Sequence, residues 1–330
     1  MNNLLNYIPL LKVGCSKENY PLYSQSIYFD GETIRICNDD VYVCLNYQSD
    51  IRGCLNLFVL ESVLKIAAKH REVEFVVANE HLTVHSPDGY TASLGIDSIT
   101  DFPLQDMPET PLTEVTDDML LALNDAILFN RPGGKAHNLY IYMDKEHIMA
   151  TSNMRCFLSN VFTAVSEYVG INKKMLSVLD DTCMIGSYDN NTLIKFDSGF
   201  VKFTIDLLDG YPADKLLQFV NDSREGVLKL CNMGVLNEAL SNLAPISQGE
   251  KVNMCTFSNT GNELTLKAQS MHGVIETKVD SELEVEYKTE INIDQIKNLP
   301  ANYDVYVNPD DVKILYLKST YGEIVVKENN

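Results

Sequence analysis

The sequence has no apolar run near the ~20 residues that a helix needs to cross a bilayer, so no membrane-spanning helix is expected. Residues 1–11 lack both a basic stretch and a small-residue cleavage site, which argues against a secretory signal. The cysteines Cys15, Cys37, Cys44, Cys54, Cys156, Cys183, Cys231 and Cys255 include no CxxC pair. Scattered thiols in apolar settings, such as Val43-Cys44-Leu45, read as reduced core residues of a cytosolic protein. A nucleotide-binding loop, GxSxG, HExxH and paired carboxylates are also missing. The chain is therefore not expected to be an enzyme, and it calls for neither a cofactor nor a metal.

Two partial patterns have plainer explanations. His81 and His85 share one face of a strand, but two histidines alone on a strand face are ordinary. Arg131-Pro132-Gly133-Gly134-Lys135 has some look of a phosphate cradle. It lacks the Walker spacing and follows a helix instead of opening one, so it reads as a hairpin tip.

Positive charge is scarce. Lys and Arg total 26 against 46 Asp and Glu, a formal net charge of −20. Taken alone, this argues against tight nucleic-acid binding, which needs a basic surface to neutralise phosphate. It is compatible with loose DNA binding if the few basic residues cluster on one inner face.

What is present is a weak internal rhythm. The 330 residues suffice for two or three cores, and one order of elements recurs over 1–112, 113–223 and 224–330. Each part reads as a short helix, strands, a second short helix, more strands and an acidic link. In the first, Leu4, Leu5, Ile8 and Leu11 predict a helix, and strands are expected at 26–29, 33–37, 41–47, 73–77, 81–85 and 91–96. A helix over 57–71 carries Leu60, Val63, Leu64 and Ala67 on one stripe and Glu61, Lys65 and Lys69 opposite. In the second, Thr116 caps a helix with Met119, Leu120, Leu123, Ala126 and Ile127 inward. A helix over 171–180 turns Met175, Leu176 and Leu179 inward and Lys173 and Lys174 outward, among strands near 139–143, 147–151, 183–187, 192–197 and 200–206. In the third, Val235, Leu236, Ala239, Leu240 and Leu243 form a stripe, and a helix over 292–299 carries Lys297. Its strands are expected at 252–257, 263–269, 272–279, 282–287, 304–308, 313–317 and 323–326. The segments 101–114 and 209–225 read as connectors.

Four stretches carry a family likeness. Asp97-Ser98-Ile99-Thr100-Asp101-Phe102-Pro103 is similar to an acidic Phe-Pro link that ends a first domain. Met149-Ala150-Thr151-Ser152-Asn153-Met154-Arg155 looks like an Ala-Thr-Asp-Gly-His-Arg segment, and Leu208-Asp209-Gly210-Tyr211-Pro212 like the link after a second domain. Leu264-Thr265-Leu266-Lys267-Ala268-Gln269 and Glu282-Leu283-Glu284-Val285-Glu286-Tyr287 resemble strands of a third. In this order and at these intervals, the chain resembles the bacterial-type DNA sliding clamp, the beta subunit of DNA polymerase III. The form is divergent, as a phage or mobile element would carry.

The resemblance implies an α+β chain of three repeated clamp domains, each with two helices packed on antiparallel sheets. It also implies a ring of two chains, with helices lining the hole and a continuous outer sheet. Double-stranded DNA would thread the ring without sequence preference, and DNA polymerase and clamp loader would bind by short peptide motifs. Such a protein is a processivity factor, cytoplasmic and nucleoid-associated. Lys65, Lys69, Lys173, Lys174 and Lys297 would then face the hole, joined by Lys17, Arg131 and Lys135 in loops. The implied peptide pocket comprises Thr151, Met154, Arg155, Pro212, Leu216 and Leu217, beside Ile324 and Val326 of the last strand. The same leucines could equally seal an interdomain core. The implied contact between chains pairs Ala92 and Leu94 with Leu243, Pro245 and Ile246. Two departures stand out. Ser152-Asn153-Met154 replaces Asp-Gly-His, and the chain ends Lys327-Glu328-Asn329-Asn330 where the family commonly ends Met-Pro-Met-Arg-Leu. Peptide preference should differ accordingly. The runner-up function is a clamp-like ring repurposed as a protein scaffold or as an acidic DNA-mimicking inhibitor.

Overall fold

The structure, a computed structural model, describes residues 3–16, 22–98, 101–130, 138–152, 154–205, 211–247, 253–271 and 273–327. In chain order, helix α1 (Leu4–Val13) precedes strands β1 (Ser26–Phe29), β2 (Thr33–Cys37), β3 (Val41–Asn46) and β4 (Gly53–Asn56). Helix α2 (Leu57–Ala67) leads into β5 (Glu74–Ala78), β6 (His81–His85), β7 (Thr91–Gly95) and β8 (Thr113–Glu114). Next come α3 (Asp117–Ala126), β9 (Ile141–Met143), β10 (Ile148–Ser152), β11 (Arg155–Ser159), β12 (Val169–Ile171) and α4 (Lys173–Leu176). Strands β13 (Met184–Tyr188), β14 (Asn191–Phe196) and β15 (Gly199–Thr204) precede α5 (Ala213–Asp222), β16 (Leu228–Asn232) and α6 (Met233–Ser247). The chain then runs through β17 (Met254–Thr260), β18 (Glu263–Ser270), β19 (Gly273–Asp280), β20 (Tyr287–Asn292) and α7 (Ile293–Ile296). It closes with β21 (Asp304–Asn308), β22 (Asp311–Lys318) and β23 (Gly322–Lys327).

The residues gather into two compact units. The first is Met1–Val115 with Val165–Val169 and Ser177–Asp206; the second is Thr116–Ala164 with Gly170–Leu176 and Leu207–Asn330. The first unit holds an eight-stranded sheet, β4-β1-β2-β3-β15-β14-β13-β8, and a three-stranded sheet, β5-β6-β7. The second holds β12-β9-β10-β11-β23-β22-β21-β16 and a four-stranded sheet, β19-β18-β17-β20. The class is α+β, as the sequence predicts. Each large sheet joins strands from neighbouring thirds of the chain: Val43 of β3 faces Val201 of β15, and Phe157 of β11 faces Ile324 of β23.

Glycine permits the first of these joints. Gly199 opens β15 at φ +147°, and a Cβ there would lie 2.1 Å from the Cys44 carbonyl oxygen. Gly322 opens β23 in the corresponding role, where a Cβ would fall 2.5 Å from the Phe157 ring. A backbone clash cannot be relieved by a rotamer change. Gly199→Val should therefore lower the stability of the first unit by about 2–4 kcal/mol, seen as a fall in its thermal midpoint.

The two links also share a role. Phe102 is buried in the first unit and stacks on Tyr28 at 5.0 Å between ring centroids. In the second unit, Tyr211 stacks on Tyr142 at 4.8 Å. Each aromatic residue precedes a proline and covers one large sheet.

The structure departs from the sequence-based expectations at several elements. The segment 209–225 contains the ten-residue amphipathic helix α5 rather than a plain connector. The helices expected over 171–180 and 292–299 shrink to the four-residue α4 and α7. Lys297, extended at ψ 142°, takes the chain out of the helical path after α7, and Asn298 follows at φ +66°. The strand expected at 282–287 does not form. There the buried Asn259 side chain donates from Nδ2 to the Leu283 and Val285 carbonyls at 2.8 and 2.9 Å, in place of a strand partner.

Candidate nucleic-acid interface and peptide patch

Helix α5 lies on the sheet of the second unit because its apolar residues share one side. Leu216, Leu217 and Phe219 are half-buried and Val220 is fully buried, while Asp214, Lys215 and Gln218 are exposed. Beneath it sit Met149, Cys156, Leu158, Tyr316 and Val325. Burial pushes the Cys156 thiol up to about 12, consistent with an inert core residue. Two charged anchors close the edges. Arg224 holds the buried Glu323 carboxylate with Nε and Nη2 at 2.7 Å, and the Lys327 ammonium lies 5.9 Å from the Phe219 ring centroid.

Strand alternation divides the expected pocket residues between two faces. Thr151 pairs with Cys156, so both point toward α5, and Leu216 and Leu217 of the helix pack down on this face. Met154 is half-exposed at the neighbouring turn, and its carbonyl accepts the Lys327 amide at 2.9 Å. Pro212 occupies the N-cap position of α5. Arg155, Ile324 and Val326 belong to the opposite face. Arg155 pairs with Val326, and its guanidinium stacks on Phe129 at 5.1 Å and donates to the Gln295 carbonyl at 2.9 Å. Ile324 and Val326 are buried, and Val325 is the residue of β23 that meets α5. Phe219 and Lys327 also belong to this patch. The i, i+1, i+3, i+4 spacing of Leu216, Leu217, Phe219 and Val220 was the available signal for this helix.

The basic residues are more compensated than spacing suggested. In the first unit, Glu61 is buried between α1 and α2 and accepts both Lys12 and Lys65 at 2.7 Å. Hydrogen bonds from those two ammoniums hold its carboxyl below the usual carboxylate range. Its contribution to stability is thus fully present above about pH 4.5 and is lost as pH falls through the lowered folded-state value. Lys12, 49 residues from Glu61, was invisible to local spacing. Lys69, Lys173 and Lys174 are exposed. Lys297 is exposed and ion-paired with Asp294. Lys17, Arg131 and Lys135 lie outside the described residues. Glu61→Gln should cost about 1 kcal/mol at neutral pH, remove this part of the acid sensitivity, and leave two uncompensated lysines. Thermal melts at pH 7 and pH 4 check this: the variant's deficit should shrink at the lower pH.

Strands β7 and β19 are the outer strands of their sheets among the described residues. Ala92 and Leu94 lie on one side of β7 and are half-buried. Pro245 is exposed and Ile246 half-buried, but Leu243 is fully buried where α6 packs on its own unit. Leu243 is therefore a core residue and offers no surface to a second chain. His81 and His85 are both exposed, with their Nδ1 atoms engaged by the Asn79 carbonyl and the Thr91 hydroxyl. No helix among the described residues is long and apolar enough to cross a membrane.

No protein-family model matches the chain, and no curated protein does. Solved structures do match along its whole length. The DNA polymerase III subunit beta of Pseudomonas aeruginosa is 14% identical, with a TM-score of 0.79 over 99% of this chain and 98% of that one. The DNA polymerase III beta subunit of Thermotoga maritima is 13% identical, with a TM-score of 0.78 over 99% and 97%. The Helicobacter pylori beta clamp, solved with a DNA ligase peptide, is 13% identical, with a TM-score of 0.78 over 100% and 98%. At these identities the likeness establishes the fold, and the chain has the fold of the beta sliding clamps.

Proposed function

We propose that the chain is a DNA sliding clamp, a non-enzymatic ring that encircles duplex DNA and tethers a DNA polymerase. The observation that carries this reading is the fold match to polymerase III beta subunits over 99% of the chain. Under it the chain comprises three clamp domains, 1–112, 113–223 and 224–330, and two copies close head-to-tail into a ring. The outer strand β7 of one copy, with Ala92 and Leu94, would meet β19 and the Pro245–Ile246 region of the other, which would cover both of these outer strands. Lys12, Lys65, Lys69, Lys173 and Lys174 would touch phosphates only, so DNA would be held loosely and without base readout. The acidic remainder of the surface would discourage DNA from sticking elsewhere.

Partners would dock on the patch around α5. The ligase peptide held by the Helicobacter pylori clamp makes short peptides the natural partner class here as well. Half-buried Leu216 and Leu217 beside Thr151 and Met154 suit one or two large apolar side chains. The assembly is tested by mass in solution: a copy is 37.1 kDa, so the ring should weigh about 74 kDa. A monomer at micromolar concentration that also fails to hold DNA would end the reading. A stable ring with no hold on DNA would favour the scaffold or DNA-mimic alternative.

A further inference from the structure

The geometry points to a small-ligand site in the second unit, remote in sequence from α5. The cavity beside the turn after α3 fits a carboxylate on an apolar body. An N-acylated apolar amino acid has this chemistry, and so does the C-terminal residue of a peptide. The cavity measures about 460 Å³, within the roughly 300–1,000 Å³ typical of ligand sites. Its wall is largely apolar, with Leu128, Leu139 and Tyr140 exposing carbon to it.

Local structure explains why an apolar residue is left at the surface. Residues Ile127–Phe129 form a 3-10 turn after α3, and the turn sends Phe129 into the core and leaves Leu128 40% exposed. Arg155 pins the turn by donating to the Leu128 carbonyl at 3.4 Å. Polar groups converge on the same space. Lys173 and Lys174, exposed at the start of α4, line the cavity and supply two positive charges. Asn130 also lines it. Its Nδ2 donates to the Leu139 carbonyl at 3.1 Å, while its Oδ1 is buried without a hydrogen-bond partner among the described residues. The apolar wall takes a side chain, and the lysines at the rim take a carboxylate. The cavity's chemistry is independent of the clamp reading, and its test contains no DNA.

The probe is N-acetyl-L-phenylalanine, compared with its primary amide, titrated against the whole chain and followed by ligand-observed NMR. The acid should saturate one site per chain with a Kd on the order of 1 mM. The amide should bind roughly threefold to tenfold more weakly. The double variant Lys173→Gln, Lys174→Gln should equalise acid and amide. Leu128→Asp, at an exposed position, should abolish both without lowering the thermal midpoint. A second arm uses N-acetyl-Ala-Ala-Phe with a free carboxylate. Binding at least as tight as the single residue identifies a peptide C-terminus as the ligand, and loss of binding identifies a small free acid. Equal affinity for acid and amide on the unaltered chain, or binding that survives Leu128→Asp, overturns the assignment.

Discussion

Replacing Lys65, Lys69, Lys173 and Lys174 together by Glu should abolish DNA binding at low salt while the ring keeps its mass. All four are exposed, and none is needed to fill a core. For phosphate contacts, log affinity falls with log salt at a slope of about −0.9 per contact. Five such contacts, Lys12 included, should cost the unaltered chain roughly five-hundredfold between 50 and 200 mM salt, and the slope should flatten in single substitutions. Glu61→Gln should shift binding the other way, because it releases Lys12 and Lys65 from a shared carboxylate. An unchanged affinity and salt slope in the quadruple variant would show that α2 and α4 do not face DNA.

The second large effect concerns the patch under α5. Met154→Asp with Leu217→Asp should eliminate capture of polymerase-derived peptides, measured by fluorescence anisotropy, with secondary structure and ring mass unchanged. Both side chains are only half-buried, so a charge there should be tolerated by the fold but not by an apolar anchor. Lys327 gives the patch a cationic rim, supported over the Phe219 ring. Lys327→Glu should therefore weaken acidic peptides more than neutral ones. If peptide binding is equal in the double variant and the unaltered chain, the docking surface is elsewhere.

Much of the fold was legible because strands bury alternate residues. The strand spans at 26–29, 33–37, 81–85 and 304–308 agree with β1, β2, β6 and β21 residue for residue. Thr116 is the expected cap of α3, its hydroxyl accepting the Met119 amide at 3.2 Å. What stayed hidden was of three kinds. Helix α5 was masked by the Pro-Asp composition of its surroundings, which reads as a link even where Leu216, Leu217 and Val220 repeat at helical spacing. The segment 282–287 alternates like a strand, but Asn259, more than twenty residues earlier, takes its carbonyls. Pairing over long separations was unreadable as well. Period two predicts that Val325 and Val326 point to opposite faces, but which one meets α5 depends on the register with β11. The Lys12–Glu61–Lys65 cluster depends likewise on α1 packing against α2.

The most direct test of the central claim is retention on DNA of different topology. The chain is incubated at high concentration with a nicked circular duplex, so that rings can open and reclose, and is then separated by gel filtration in high salt. A clamp should co-elute with the circle and be released when a single cut makes the circle linear, with no change in DNA sequence or length. Equal retention on circle and line, or none on either, would contradict the account.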